Sequence, residues 1–149
     1  MRQILVTSLC ALLLTGCAHQ PPSAEAVAAL TAEFAETRVV ADTDCIFSAP
    51  VKNEFIAYRL YGLCLFSDTQ LRLYHGGDKP ALAFAWPIGA IKAYAFHADT
   101  FTIVTGAGNF GLVVKDAAGL IEVLRAQGVP ENANLPVFSA KDPAPFNWM

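Results

Sequence analysis

Hydrophobic and polar positions divide the chain into three regimes. Ser23 can cap a helix, Glu25 sits in its first turn, and Val27, Leu30, Thr31 and Phe34 recur at helical spacing. The spacing predicts a helix over about 24–37, and its narrow apolar stripe calls for a packing partner. From Val39 to Val114 the period shortens to that of strands. "NEFIAYRLYGLCLF" is aromatic and branched, "SDT" reads as a turn, and "QLRLYH" alternates. "GGDKP" breaks the pattern. "ALAFAWPI" then sets Leu82, Phe84, Trp86 and Ile88 against alanines, with Pro87 confined to an edge or strand end. "AIKAYAF", "TFTIVT" and "FGLVV" follow, separated by "HAD" and "GAGN". After Asp116 the helical period returns, with Leu120, Ile121 and Leu124 as the stripe and Gly128 and Pro130 as stop signals, predicting a helix over about 117–127. The order of helix, five to seven short strands and helix predicts a mainly β (α+β) domain. The expected architecture is a small antiparallel β-sandwich or partly open barrel with an N-terminal helix and a C-terminal capping helix.

The first twenty residues follow a different logic. Arg2 precedes an apolar stretch from Ile4 to Leu14, too short for a spanning helix and of the length of a secretory h-region. It ends Leu14-Thr15-Gly16-Cys17, which resembles the lipobox of bacterial lipoproteins at all four positions. The resemblance implies cleavage before Cys17 and a diacylglycerol on its thiol. Two or more acyl chains anchor stably where one does not. It divides the chain into a signal peptide (1–16), a tether (17–22), one domain (23–130) and a proline- and aromatic-bearing tail (131–149). Ala18 replaces the aspartate that tends to retain such proteins at the inner membrane. The implied location is therefore the cell envelope, at the outer membrane facing the periplasm.

That location changes the reading of the cysteines. Cys10 leaves with the signal and Cys17 carries lipid. Cys45 and Cys64 remain in an oxidising compartment, where an even remainder reads as one disulfide. Two buried reduced thiols are the alternative. Mean hydropathy of +0.41 is inflated by the signal. The formal charge of −3 becomes −4 once Arg2 is removed, and the lysines and arginines form no run. The footprint of nucleic-acid binding is missing.

The segment from about Asp44 to Gln127 resembles pleckstrin-homology-like and GRAM-like domains. "GLCLFSDTQLRLYH", "FAWPIGAIKAY" and "TFTIVTGAGNFGLVV" carry the resemblance, with the last helix. It implies a scaffold that often binds peptides or proteins. The loop that holds phosphoinositides in some of those domains is here "FSAPVKNEF", with Lys52 alone, which removes that ligand.

No nucleophile–base or metal motif is visible, and no cofactor is expected. His75 and His97 read as turn residues, and "GAGNFG" as a hairpin rather than a phosphate cradle, which needs a helix N-terminus. Phe84, Trp86, Tyr94, Phe96 and Phe101 read as core. Tyr58 and Tyr74, together with Phe146 and Trp148 of the tail, are the candidate partner-binding residues, since tyrosine and tryptophan are common in contact surfaces; Tyr61 joins them as a further tyrosine. The expected function is a lipid-anchored, non-catalytic binding or accessory module for another envelope protein or a peptide. A carrier of a small apolar ligand is the alternative, and an envelope hydrolase comes after it.

Overall fold

The computed structural model describes residues 21–34, 36, 38–50 and 57–136, leaving aside the side chains at 49–50 and 57–59. Helix α1 (Ala24–Ala32) precedes seven strands, β1 (Val39–Pro50), β2 (Ala57–Ser67), β3 (Gln70–His75), β4 (Ala81–Pro87), β5 (Ala93–His97), β6 (Thr100–Thr105) and β7 (Gly108–Val113), and helix α2 (Ala117–Ala126) closes the series. A single 3₁₀ turn, Ile88–Ala90, joins β4 to β5. The strands form one antiparallel sheet in the order β4-β3-β2-β1-β7-β6-β5. The sheet rolls over so that Phe84 and Trp86 of β4 stack against Phe110 of β7, although those two strands share no ladder. This is the expected mainly β arrangement with both flanking helices.

The inside of the roll is the main core. Cys45, Phe47, Cys64, Phe66, Leu71, Leu73, Tyr94, Phe101, Ile103 and Leu112 come from six of the seven strands. Helix α2 seals one end with Leu120, Val123 and Leu124. Each such fully buried side chain contributes about 1.5–3 kcal/mol of transfer free energy. Its ends are fixed locally. Asp116 accepts from Gly119 N at 2.9 Å, and a Cβ at Gly119 would overlap that carboxylate. At the other end Gly128 takes φ +71°, with Val129 N donating to Leu124 O and Gly128 N to Arg125 O. That pair of bonds is a Schellman stop, with Val129 and Leu124 both buried in the main core.

The outer face of the sheet carries a second, smaller core. Leu63, Leu65 and Tyr74 pack with Phe34 under α1, with Val27 and Leu30 alongside. Arg72 lies over the Phe34 ring, 4.3 Å from its centroid. The helix ends at Ala32, earlier than the periodicity suggests, because the chain turns there to insert Phe34.

Two bulges set which residues face which way. In β1 the register shifts between Asp42 and Cys45. In a regular strand residues three apart point to opposite faces. The extra residue brings Cys45 back to the core face, where it bonds Cys64 at a Cα separation of 5.8 Å. In β4 the register shifts at Ala83, since Leu73 faces Phe84 while Tyr74 faces Leu82. Leu82 is thereby turned to the outer face, away from Phe84 and Trp86. The simple alternation of "ALAFAWPI" is corrected at that residue.

Candidate functional site

The gap left where the rolled sheet fails to close is the candidate site. Strand β4 ends the sheet, with no further strand beside it among the described residues. Facing it is the tip of the β6–β7 hairpin, where Gly108 takes φ +132° to make the tight turn. Strand β7 pairs with β1 only over Gly111–Val113, so residues 108–110 stand beyond that ladder. Between tip and strand lies an open cleft of about 190 Å³. Phe84, Trp86 and Phe110 form its apolar wall, and Thr105, Ala107, Gly108 and Asn109 form its rim.

The aromatic wall is ordered by stacking. Trp86 lies 4.3 Å from Phe110 and 5.1 Å from Phe84 between centroids, each pair within 12° of parallel. Phe47 meets Phe84 edge-on at 6.0 Å from inside the core. Such pairs each add about 0.5–1.5 kcal/mol beyond burial, so the wall is held rigid before any ligand arrives. Sequence reading placed Phe84 and Trp86 in the core. They are half-buried instead, because β4 is the last strand of the sheet and, among the described residues, no further strand flanks it. Their alternation with alanines identified a two-sided strand, but not that the large side would be half open. Thr105 turns its hydroxyl inward, donating to Gly108 O at 3.0 Å and accepting from Ala107 N. The Thr105 hydroxyl is therefore engaged within the turn, and the cleft presents a largely apolar surface.

The other candidates fall elsewhere. Tyr74 is 3% exposed beneath α1, so this residue is a core side chain and not part of an open contact surface. Its place opposite Leu63, on the face that α1 covers, is the physical reason. Tyr61 lies on the outer face, 47% exposed. The backbone of Tyr58 pairs with Ala49, and its side chain lies outside the described residues, as do Cys17, Lys52, Phe146 and Trp148. Tyr94 and Phe101 are fully buried, as expected of core residues, and Phe96 is partly so. Cys45 and Cys64 form the disulfide. His75 is exposed at the β3–β4 turn. His97 lies in the β5–β6 turn, its Nε2 3.2 Å from Ala133 O. They do not converge, and among the described residues no group of three or more His, Cys, Asp or Glu is placed to hold a metal.

A second polar cluster has a structural task. After α2 the chain runs beside β5, where Tyr94 N donates to Pro130 O and Asn132 N to Tyr94 O. The Arg125 guanidinium and the Tyr94 hydroxyl both donate to Glu131 Oε2. The Arg125 hydrogen bond holds the Glu131 carboxyl below the usual carboxylate range, and burial pushes the Tyr94 phenol up. Thr102 then donates to Pro136 O at 2.7 Å. The start of the tail, to Pro136, thus docks on its own domain, covering the β5 edge and leaving β4 as the open one.

The chain matches no protein-family model and no curated protein sequence. Among solved structures it is similar to the N-terminal PH domain of human ARAP2, with 15% sequence identity and a TM-score of 0.42. The alignment covers 72% of this chain and 93% of that domain.

Proposed function

We propose that this chain is a lipid-anchored, non-catalytic binding module of the cell envelope, tethered through Cys17 to the outer membrane on its periplasmic side. Its cleft takes an extended segment of another envelope protein. The observation that carries the reading is the preformed aromatic wall of Phe84, Trp86 and Phe110 beside the open edge of β4. An extended peptide can add to an open edge through main-chain hydrogen bonds while a side chain enters an adjacent pocket. A volume of about 190 Å³ suits one proline or aromatic side chain. It falls below the roughly 300 Å³ at which small-molecule pockets begin, and this favours a peptide over an apolar carrier role.

A random-peptide phage library panned on the mature protein tests the reading. Enriched peptides should share an aromatic or proline anchor. Trp86→Ala should weaken them by ten- to a hundredfold, the effect of losing an aromatic anchor worth roughly 2 kcal/mol or more. Because Trp86 also supports the fold, Ala107→Tyr serves as the second variant. It fills the exposed rim without removing any core side chain and should abolish binding with Tm unchanged. No enrichment, or peptides indifferent to both substitutions, would overturn the proposal.

A further inference from the structure

Two large hydrophobic side chains stand out on the surface, Tyr61 at 47% and Leu82 at 54% exposure. Both lie on the outer face of the sheet. Leu82 continues the row Leu63–Tyr74–Leu82 across β2, β3 and β4. Tyr61 is two residues from Leu63 along β2, roughly 7 Å away on the same face. The cleft wall of Phe84 and Trp86 points the other way, because the bulge at Ala83 divides β4 into an inward part and an outward one.

The direction of α1 links this patch to the anchor. Its C-terminal end is fixed near the β2–β3 turn, where Phe34 sits under Arg72 and Glu36 accepts from Thr69 Oγ1. Its earlier residues, Val27 and Leu30, pack against the cluster of Phe34, Leu63, Leu65 and Tyr74, which extends past Arg72 away from that turn. The N-terminal end therefore points toward the end of the sheet that holds Tyr61, Leu82 and the β3–β4 turn. The helix N-cap is Ser23. Cys17 precedes it by only six residues, which span at most about 20 Å when extended.

We infer that the outer face around Tyr61 and Leu82 rests on the bilayer that holds the Cys17 lipid. The inference rests on the lipid-anchor reading. The contact is with the boundary between acyl chains and headgroups, where tyrosine rings and apolar side chains partition. Lys79 is the only basic residue of the β3–β4 turn, and Asp78 sits beside it. The interaction is accordingly apolar and insensitive to salt, rather than a grip on lipid phosphate. In this pose the aromatic cleft faces the aqueous space, open to a partner.

The test uses the mature acylated protein in dioleoylphosphatidylcholine vesicles, with hydroxyl-radical footprinting read by mass spectrometry. The reference is a Cys17→Ser chain secreted behind an ordinary signal peptide. Tyr61 and Leu82 should oxidise several-fold more slowly in the vesicles, at low and high salt alike, with Trp86 unchanged. Acylated protein that floats with the vesicles but oxidises at Tyr61 and Leu82 as fast as the reference would overturn this pose while leaving the anchor intact. Protein without an acyl mass on Cys17, and without flotation, would remove the anchor and the pose together.

Discussion

The β1 bulge decides how Cys45 and Cys64 meet. Asp42 stabilises the bulge with both carboxylate oxygens, accepting from Asp44 N at 3.0 Å and from Lys115 N at 2.6 Å. The Lys115 ammonium pairs in turn with Asp44, which raises its pKa. A regular strand through these residues would point Cys45 outward. The pairing of Cys45 with Cys64 was legible in sequence, but this geometry was not. The bridge spans 19 positions, and chain entropy gives it about 3 kcal/mol. Cys45→Ser/Cys64→Ser should lose about that much stability in urea unfolding, and reductant should lower the wild type to the same level. Gly62 is the other constrained residue. A Cβ there would collide with the Tyr74 carbonyl across the β2–β3 ladder. Gly62→Ala should cost about 2 kcal/mol or more, measured by the same unfolding curves.

At the scale of elements, the helices and strands followed from period and punctuation. Asp116 and Gly128 bound α2 as capping chemistry requires, and Pro87 ends an edge strand. Face assignments were less legible. Tyr74 looked like a surface tyrosine because its strand alternates, but the amphipathic α1 covers that face. Leu82 looked inward because one bulged alanine is invisible in a hydrophobic pattern. The tail segment beside β5 carries no periodic signal, and main-chain bonds with one acidic residue hold it. Its pH dependence follows from sign. The Glu131 carboxyl titrates below its ordinary value of 4.5, so its attraction to Arg125 is present above that pH and fades as pH falls through the lowered value. Glu36 is lowered likewise, chiefly by hydrogen bonds from Ser67 and Thr69. Amide protection at Tyr94 and Asn132, corrected for intrinsic exchange, should therefore drop below pH 4.5. In Glu131→Gln it should already be reduced at neutral pH and flat across the acid range. The pair is half-exposed, and high salt should mute the difference.

For the whole molecule, the proposed reading gives three tasks to three surfaces: the anchor to the segment before α1, the bilayer contact to the outer face, and the partner to the cleft at the open seam. A rolled seven-stranded sheet has two edges. Here residues 130–132 cover the β5 edge, and among the described residues no strand pairs with the outer edge of β4, the aromatic one. That division required tertiary closure. Phe110 lies far along the sequence from Phe84 and Trp86, and nothing in the pattern of either segment reports that they stack. Among the described residues no helix is long and apolar enough to cross a membrane. The most direct measurement is site-specific photocrosslinking in intact cells. A photoreactive phenylalanine replaces Gly106, which lies between the rim residues Thr105 and Ala107 with open space around it, or, as a control, Glu122 on the exposed side of α2. One discrete envelope-protein adduct is expected from position 106, competed by a cleft-binding peptide, and none from position 122. No adduct at 106, or the same adducts from both positions, would overturn binding at the cleft.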